Sequence, residues 1–177
     1  MSLTLETERL WLRPPELEDA ESMFEHYGRH PEVCEFLSWK AHENTGITRA
    51  WIADTITKIE SGKSVRTFIV PKDLGEPVGA IGASLSPFKI HVGYALGKDF
   101  WNKGYVSEAF NAMIDHFFTH TKVVRVEAIC DVENIGSARV MEKAGLIKEA
   151  FLPYYDVAPN LSEGPRDMFM YGRIKTK

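Results

Sequence analysis

The sequence predicts the α/β class, with a mixed, mostly antiparallel sheet of about seven strands and helices on both faces. Three observations carry that reading. Apolar and β-branched runs at Val65 to Val70, Val78 to Leu85 and Lys89 to Leu96 are separated by turn residues, as in an antiparallel meander. The order strand, helix, strand from Lys89 to Asp131 requires a right-handed crossover and hence one parallel pair. The opening third reads as a strand followed by helices. A length of 177 residues with 44% hydrophobic residues suits one domain, residues 1–177, with one sizeable core.

The elements follow in order. Leu3 to Arg13 alternates apolar and polar and is stopped by Pro14-Pro15, which predicts the first strand. Leu17, Ala20, Met23, Phe24 and Tyr27 recur at helical spacing behind an acidic first turn, and Gly28 closes that helix. A short turn of helix led by Pro31 runs to Phe36, and a longer helix from Gly46 to Ser61 buries Ile47, Trp51, Ile52, Ile56 and Ile59. After the meander come a helix from Gly104 to Thr119, a strand from Val123 to Asp131 and a helix from Ile135 to Ala144. Strands at Ala150 to Asp156 and Met168 to Ile174 complete the chain.

Composition excludes several function classes. A net charge of -4 argues against nonspecific nucleic-acid binding and suits a substrate that arrives as a positive amine. No apolar run approaches the roughly 20 residues that a bilayer span needs, so a cytoplasmic protein with no membrane partner is expected. Cys34 and Cys130 match no metal or redox spacing and read as reduced, half-buried thiols. His116 and His120 have i, i+4 spacing but no third ligand, so no metal is expected, and imidazoles there suit the C-terminal end of a helix dipole.

The most informative segment is the turn from Trp101 to Ala109. Between the strand ending at Leu96 and the following helix, several backbone N–H groups have no partner inside the helix. Gly104 permits close backbone approach, and the helix dipole favours an anion there. The strings G-x-G-x-x-G and G-x-x-x-x-G-K-[ST] are absent.

Four stretches in order resemble the GNAT acetyltransferase superfamily, in particular its RimJ/RimL-type members that acetylate ribosomal-protein N-termini. They are Thr7 to Arg13 with Glu18-Asp19-Ala20, Gly93 to Leu96, Trp101 to Ala109, and Asn134 to Leu146. The resemblance implies a sheet splayed at its central parallel pair, where acetyl-CoA enters as cosubstrate. It implies that the amides of Asn102, Lys103, Gly104, Tyr105, Val106 and Ser107 hold the coenzyme A pyrophosphate. Trp101 and Val106 depart from the family's Q/R-x-x-G-x-G/A pattern, and the Val106 side chain is expected to narrow the approach. The Tyr94 N–H is implied to lie near the thioester oxygen, with Leu96 beside the pantetheine amide.

The departing thiolate needs a hydrogen-bond donor. Many relatives place a Tyr where this chain has Met141, whereas Asn134-Ile135-Gly136-Ser137 resembles the N-x-x-S of the Rim-type branch and makes Ser137 the candidate. Asn134 also reads as an ordinary helix N-cap. For the base, Glu127 and Asp131 share one strand face by the two-residue period and His91 lies on the neighbouring strand; Glu127, His91 and ordered water all stay open. A salt-bridged Glu127, with Arg125 or Arg139, is the structural alternative. Phe36, Trp39, Tyr154 and Tyr155 fall in segments that line the acceptor groove in the resembling family. The expected reaction is direct attack of a primary amine on acetyl-CoA. The acceptor is a protein N-terminus or a small amine such as a polyamine or aminoglycoside, and a noncatalytic acyl-CoA sensor is the rival. A monomer and a homodimer are equally compatible with the sequence.

Overall fold

The computed structural model describes residues 2–176. They form an eight-stranded sheet: β1 (Leu5–Glu6), β2 (Leu10–Arg13), β3 (Ser64–Pro71), β4 (Gly79–Leu85), β5 (Lys89–Leu96), β6 (Arg125–Asp131), β7 (Ile147–Val157) and β8 (Pro165–Ile174). Their spatial order is β1-β2-β3-β4-β5-β6-β8-β7. The expected first strand, Leu3 to Arg13, is split in two, which makes eight of the expected seven or so. The first run is a tight hairpin in which Leu5 faces Leu12 and Glu6 faces Trp11. Thr7 folds the chain back, its N–H donating to the Leu10 carbonyl at 3.0 Å. The slip of the leucine spacing from Leu3 and Leu5 to Leu10 and Leu12 is the sequence trace of that turn.

The helices are α1 (Ala20–Met23), α2 (Pro31–Cys34), α3 (Thr45–Glu60), α4 (Tyr105–His120) and α5 (Ile135–Lys143). The expected first helix is compound, a tight turn at Leu17–Asp19 running into α1 and then into a wide π turn at Phe24–Gly28. Arg13 holds it to β2 through Asp19, at 2.5 and 2.8 Å. Asn44 starts α3 by accepting from the Ile47 N–H at 3.1 Å.

Two apolar clusters lie on opposite faces of the sheet. One joins Leu12, Ile69, Ile81, Val92 and Val126 to Phe110, Met113 and Ile114 of α4 and Met141 of α5. The other joins Phe68, Val70 and Ala80 to Met23, Tyr27 and Ile52 of the early helices. The strand alternation therefore sorts functional side chains as well: Tyr94 and Cys130 face α4 and α5, whereas His91, Gly93, Glu127 and Asp131 face the other way.

The sheet is mostly antiparallel, with β5 and β6 forming its parallel pair. Their registered pairs run from Lys89 with Arg125 to His91 with Glu127, and beyond these the described residues of the two strands part. On the far side β6 stays paired to β8 along its whole length, from Arg125 with Ile174 to Asp131 with Met168. The gap is thus confined to the C-terminal halves of β5 and β6.

Candidate active site

Gly97 donates its N–H to the carbonyl of Val78, the residue just before β4, so by alternation the main-chain groups of Tyr94 and Leu96 point towards β6 and into the gap. The Leu96 carbonyl is occupied by the Trp101 indole N–H at 2.7 Å. Trp101, a departure from the family pattern, thus closes the turn leading from β5 to α4. Gly104 caps α4 in the left-handed region at φ 82°, and Asn102 also has positive φ, 62°. This winding leaves the first amides of α4 without helical partners, directed outwards at the positive end of the dipole. Val106 does not narrow the approach as expected, because its side chain is buried in the core cluster.

A clamp that sequence reading missed supports the turn. Arg9 donates to the Lys103 carbonyl at 2.9 Å and to Glu108 at 2.7 Å, and its guanidinium stands 5.0 Å from the Tyr105 ring centre. Thr7 adds a 2.6 Å hydrogen bond to the same Glu108. Burial raises the Glu108 carboxyl, but the donors from Thr7 and Arg9 outweigh it and hold the group below the usual carboxylate range. Arg9→Ala frees the Lys103 carbonyl and is expected to weaken coenzyme A binding by about tenfold in calorimetric titration, leaving kcat at saturation little changed.

Across the gap the Tyr94 side chain reaches α5. Its hydroxyl lies 2.8 Å from Ser137 Oγ and donates to the Ser137 carbonyl at 3.1 Å, while its ring leans on Phe110. Burial pushes the Tyr94 phenol well above its ordinary value, so it stays protonated. Asn134 accepts from the Ser137 N–H at 2.9 Å and is the N-cap of α5, which fixes the serine from the other side. Met141 is core.

On the opposite face the expected base is engaged. Glu127 accepts from Lys89 Nζ at 2.7 Å and from Arg125 Nε at 3.1 Å. Burial raises its carboxyl, but these two partners prevail and hold it below the ordinary range, so it is a salt-bridged carboxylate with Arg125 and not with Arg139. Asp131 is likewise tied to Arg166 at 2.5 Å. His91 has its Nδ1 4.0 Å from Glu127 Oε1, and burial pulls it below 6.5, leaving a neutral imidazole. Cys34 and Cys130 are free thiols, fully buried rather than half-buried, and burial pushes Cys130 up to about 11. The rings of His116 and His120 stack at 4.9 Å, and among the described residues no group of three or more metal-ligating side chains gathers.

The residues expected to line the acceptor site lie in the loop after α2 and on β7. Trp39 packs 5.0 Å from the His42 ring and 6.3 Å from Trp51, and Phe36 lies half-buried just ahead of it. Asn160, also missed by sequence reading, binds the Cys34, Leu37 and Trp39 carbonyls through Nδ2 at 2.6, 3.3 and 2.9 Å. It clasps the loop after α2 to the β7–β8 connection. Tyr154 and Tyr155 are exposed on β7, with Tyr154 at a bulge (φ 49°) held by its N–H to Asp167.

A sheet splayed at a parallel pair, with an amide-lined helix start at the mouth of the gap, defines an acyl-coenzyme A transferase architecture. The sequence matches the acetyltransferase (GNAT) domain family over residues 9–147, and the chain belongs to that family of N-acetyltransferases. It is 31% identical to the uncharacterized N-acetyltransferase p20 of Bacillus licheniformis across 97% of this chain and 96% of that one. A GNAT-family acetyltransferase from Bacillus anthracis superposes with a TM-score of 0.83 at 25% identity, covering 97% of this chain and 98% of the other. RimL, a ribosomal L7/L12 alpha-N-protein acetyltransferase solved with coenzyme A, shares the fold at TM-score 0.85 and 19% identity, covering 97% and 98%. Among the described residues no helix is long and apolar enough to cross a membrane.

Proposed function

We propose that the chain transfers an acetyl group from acetyl-CoA to a primary α-amine by direct attack, with the donor lying along β5 in the gap. The observation that supports this best is the early end of the β5–β6 ladder, which leaves the Tyr94 main chain facing the gap beside the Tyr94–Ser137 hydroxyl pair. Amides of Asn102 to Ser107 at the start of α4 hold the pyrophosphate. The Tyr94 N–H donates to the thioester oxygen, where charge builds in the transition state. The Ser137 hydroxyl donates to the departing sulfur. When the one Tyr94 hydroxyl proton turns from the Ser137 carbonyl to Ser137 Oγ, the serine proton is left free to point into the gap.

His91 receives the proton of the attacking amine, directly or through a water, because it is neutral while both oxygens of Glu127 are engaged. Glu127 keeps the imidazole oriented and stabilises the imidazolium. A base this weak suits an α-amine, whose pKa is about 8, better than a lysine side chain near about 10.4. That supports a peptide N-terminus, of which a ribosomal-protein N-terminus is one instance, or the α-amine of a small molecule.

The test is thiol release from acetyl-CoA with N-terminal peptides, amino acids, polyamines and aminoglycosides. Turnover is expected with α-amines, with kcat falling as pH drops through the depressed His91 pKa; His91→Gln removes that acidic limb. A preference for polyamines overturns the α-amine assignment. Coenzyme A binding without thiol release from any amine favours the sensor.

A further inference from the structure

The sheet face that carries His91 also holds a cation, Arg66, that has no carboxylate partner among the described residues. Arg66 faces Gly82, and Gly82 faces Gly93, so these three residues form one row across β3, β4 and β5 on the face that carries His91. The next row is Ser64, Ser84, His91 and Glu127. Gly93 has open space above it, where a side chain would meet nothing within 4 Å. At one end of this face Glu127, held by Lys89 and Arg125, lies against His91, and the Asp156 charge on β7 acts on the same imidazole. The other end is Arg66.

Arg66 lies 5.2 Å over the Trp51 ring of α3, half-buried, and among the described residues it has no hydrogen bond or ion pair to a carboxylate. It lines a cleft of about 100 Å³ with Trp51, Asp54, Thr55, Lys58 and Ser64. Asp54 does not serve it, being paired with Lys58 at 2.5 Å. Among the described residues the Tyr27 hydroxyl, buried on the same side of the sheet, has no hydrogen-bond partner. A partly desolvated guanidinium with no carboxylate beside it is costly to leave unmatched, and a planar two-oxygen anion matches the guanidinium fork.

We propose that Arg66 is a specificity-determining residue of the acceptor site, which binds a carboxylate of the acceptor about two strand spacings, roughly 9–10 Å, from the reacting amine over Gly93. The acceptor is then an α-amine accompanied by a carboxylate, with its amine beside His91 and its anion at Arg66. Rim-type likeness implies nothing of this kind. The inference rests on the α-amine reading and narrows it. The carboxylate has two sources, an acidic side chain near a peptide N-terminus or the C-terminal carboxylate of a short peptide.

Matched acceptor pairs test it: Ser-Glu-Ala-amide against Ser-Gln-Ala-amide, and Ser-Ala-Ala against Ser-Ala-Ala-amide. In the wild-type enzyme the carboxylate member of at least one pair is expected to have a kcat/KM on the order of tenfold to a hundredfold higher, as a charge-assisted hydrogen bond gives. Whichever pair discriminates identifies the source. In Arg66→Gln the ratio falls to within about twofold, and Arg66→Lys recovers part of it, while coenzyme A affinity and melting temperature report the state of the fold.

A second readout is independent of turnover. Calorimetric titration of the coenzyme A complex with the N-acetylated products of the same pairs is expected to show the carboxylate product binding at least tenfold more tightly, and Arg66→Gln to abolish the difference. Equal kcat/KM within both wild-type pairs, equal product binding, or a preference that survives in Arg66→Gln overturns the proposal. Turnover without discrimination leaves the α-amine reading standing and sinks this one; discrimination in product binding without turnover does the reverse.

Discussion

Ser137→Ala is expected to lower kcat about a hundredfold, the scale on which a single donor to a developing anion is worth in an enclosed site. KM and coenzyme A affinity change little, because the Asn134 cap binds the Ser137 backbone N–H and survives the substitution. Tyr94→Phe removes only the group that orients the serine, and a loss nearer tenfold is expected. The double variant decides the arrangement. If the tyrosine acts through the serine, removing both costs no more than Ser137→Ala alone, and steady-state kinetics of the three variants read this directly. Multiplicative losses would instead mean that the Tyr94 phenol touches the leaving sulfur itself.

Gly97→Ala is expected to be the most damaging small substitution for stability. Gly97 has φ of -55°, within reach of any residue, so the backbone itself is unstrained. The obstacle is contact: an added Cβ would run into the His26 carbonyl oxygen and lie 3.3 Å from the Phe100 ring. The His26 backbone belongs to the π turn after α1, and its ring meets Phe100 edge-on at 5.5 Å, so neither neighbour yields freely. A loss of about 3 kcal/mol is expected from such overpacking. That corresponds to a fall of roughly 6–12 °C in Tm for a chain of this size, measured by calorimetry or circular dichroism. Because Gly97 joins β5 to the Trp101 turn, coenzyme A binding should weaken in parallel.

What the sequence disclosed, and what it hid, divides along physical lines. Periodicity located α3, α4, α5 and the meander closely because each pattern is local and repeats every two or 3.6 residues. The crossover rule gave the parallel β5–β6 pair from element order alone. The β1–β2 hairpin was missed because one out-of-phase step among leucines is a faint mark. The partners of the site residues come from remote segments: Tyr94 with Ser137, Glu127 with Lys89, Asn160 with Cys34 and Trp39. No periodic signal encodes a contact across dozens of residues. Trp101 and Arg9 belong to the same class, as each acts by binding a carbonyl whose position depends on the fold.

An unpaired strand margin is ordinarily a hazard, because its free amides and carbonyls recruit strands from other chains and seed aggregation. Besides the outer edges of β1 and β7, this protein keeps such a margin in the middle of its sheet. The pairing of β6 with β8 walls it on one side, the β4–β5 ladder on the other, and α4 closes its end. A whole foreign strand, with side chains on both faces and its own neighbours in tow, does not fit into a crevice bounded this way. A slender linear molecule carrying amides of its own does. The same parting of two strands that exposes backbone polarity therefore also screens what can use it.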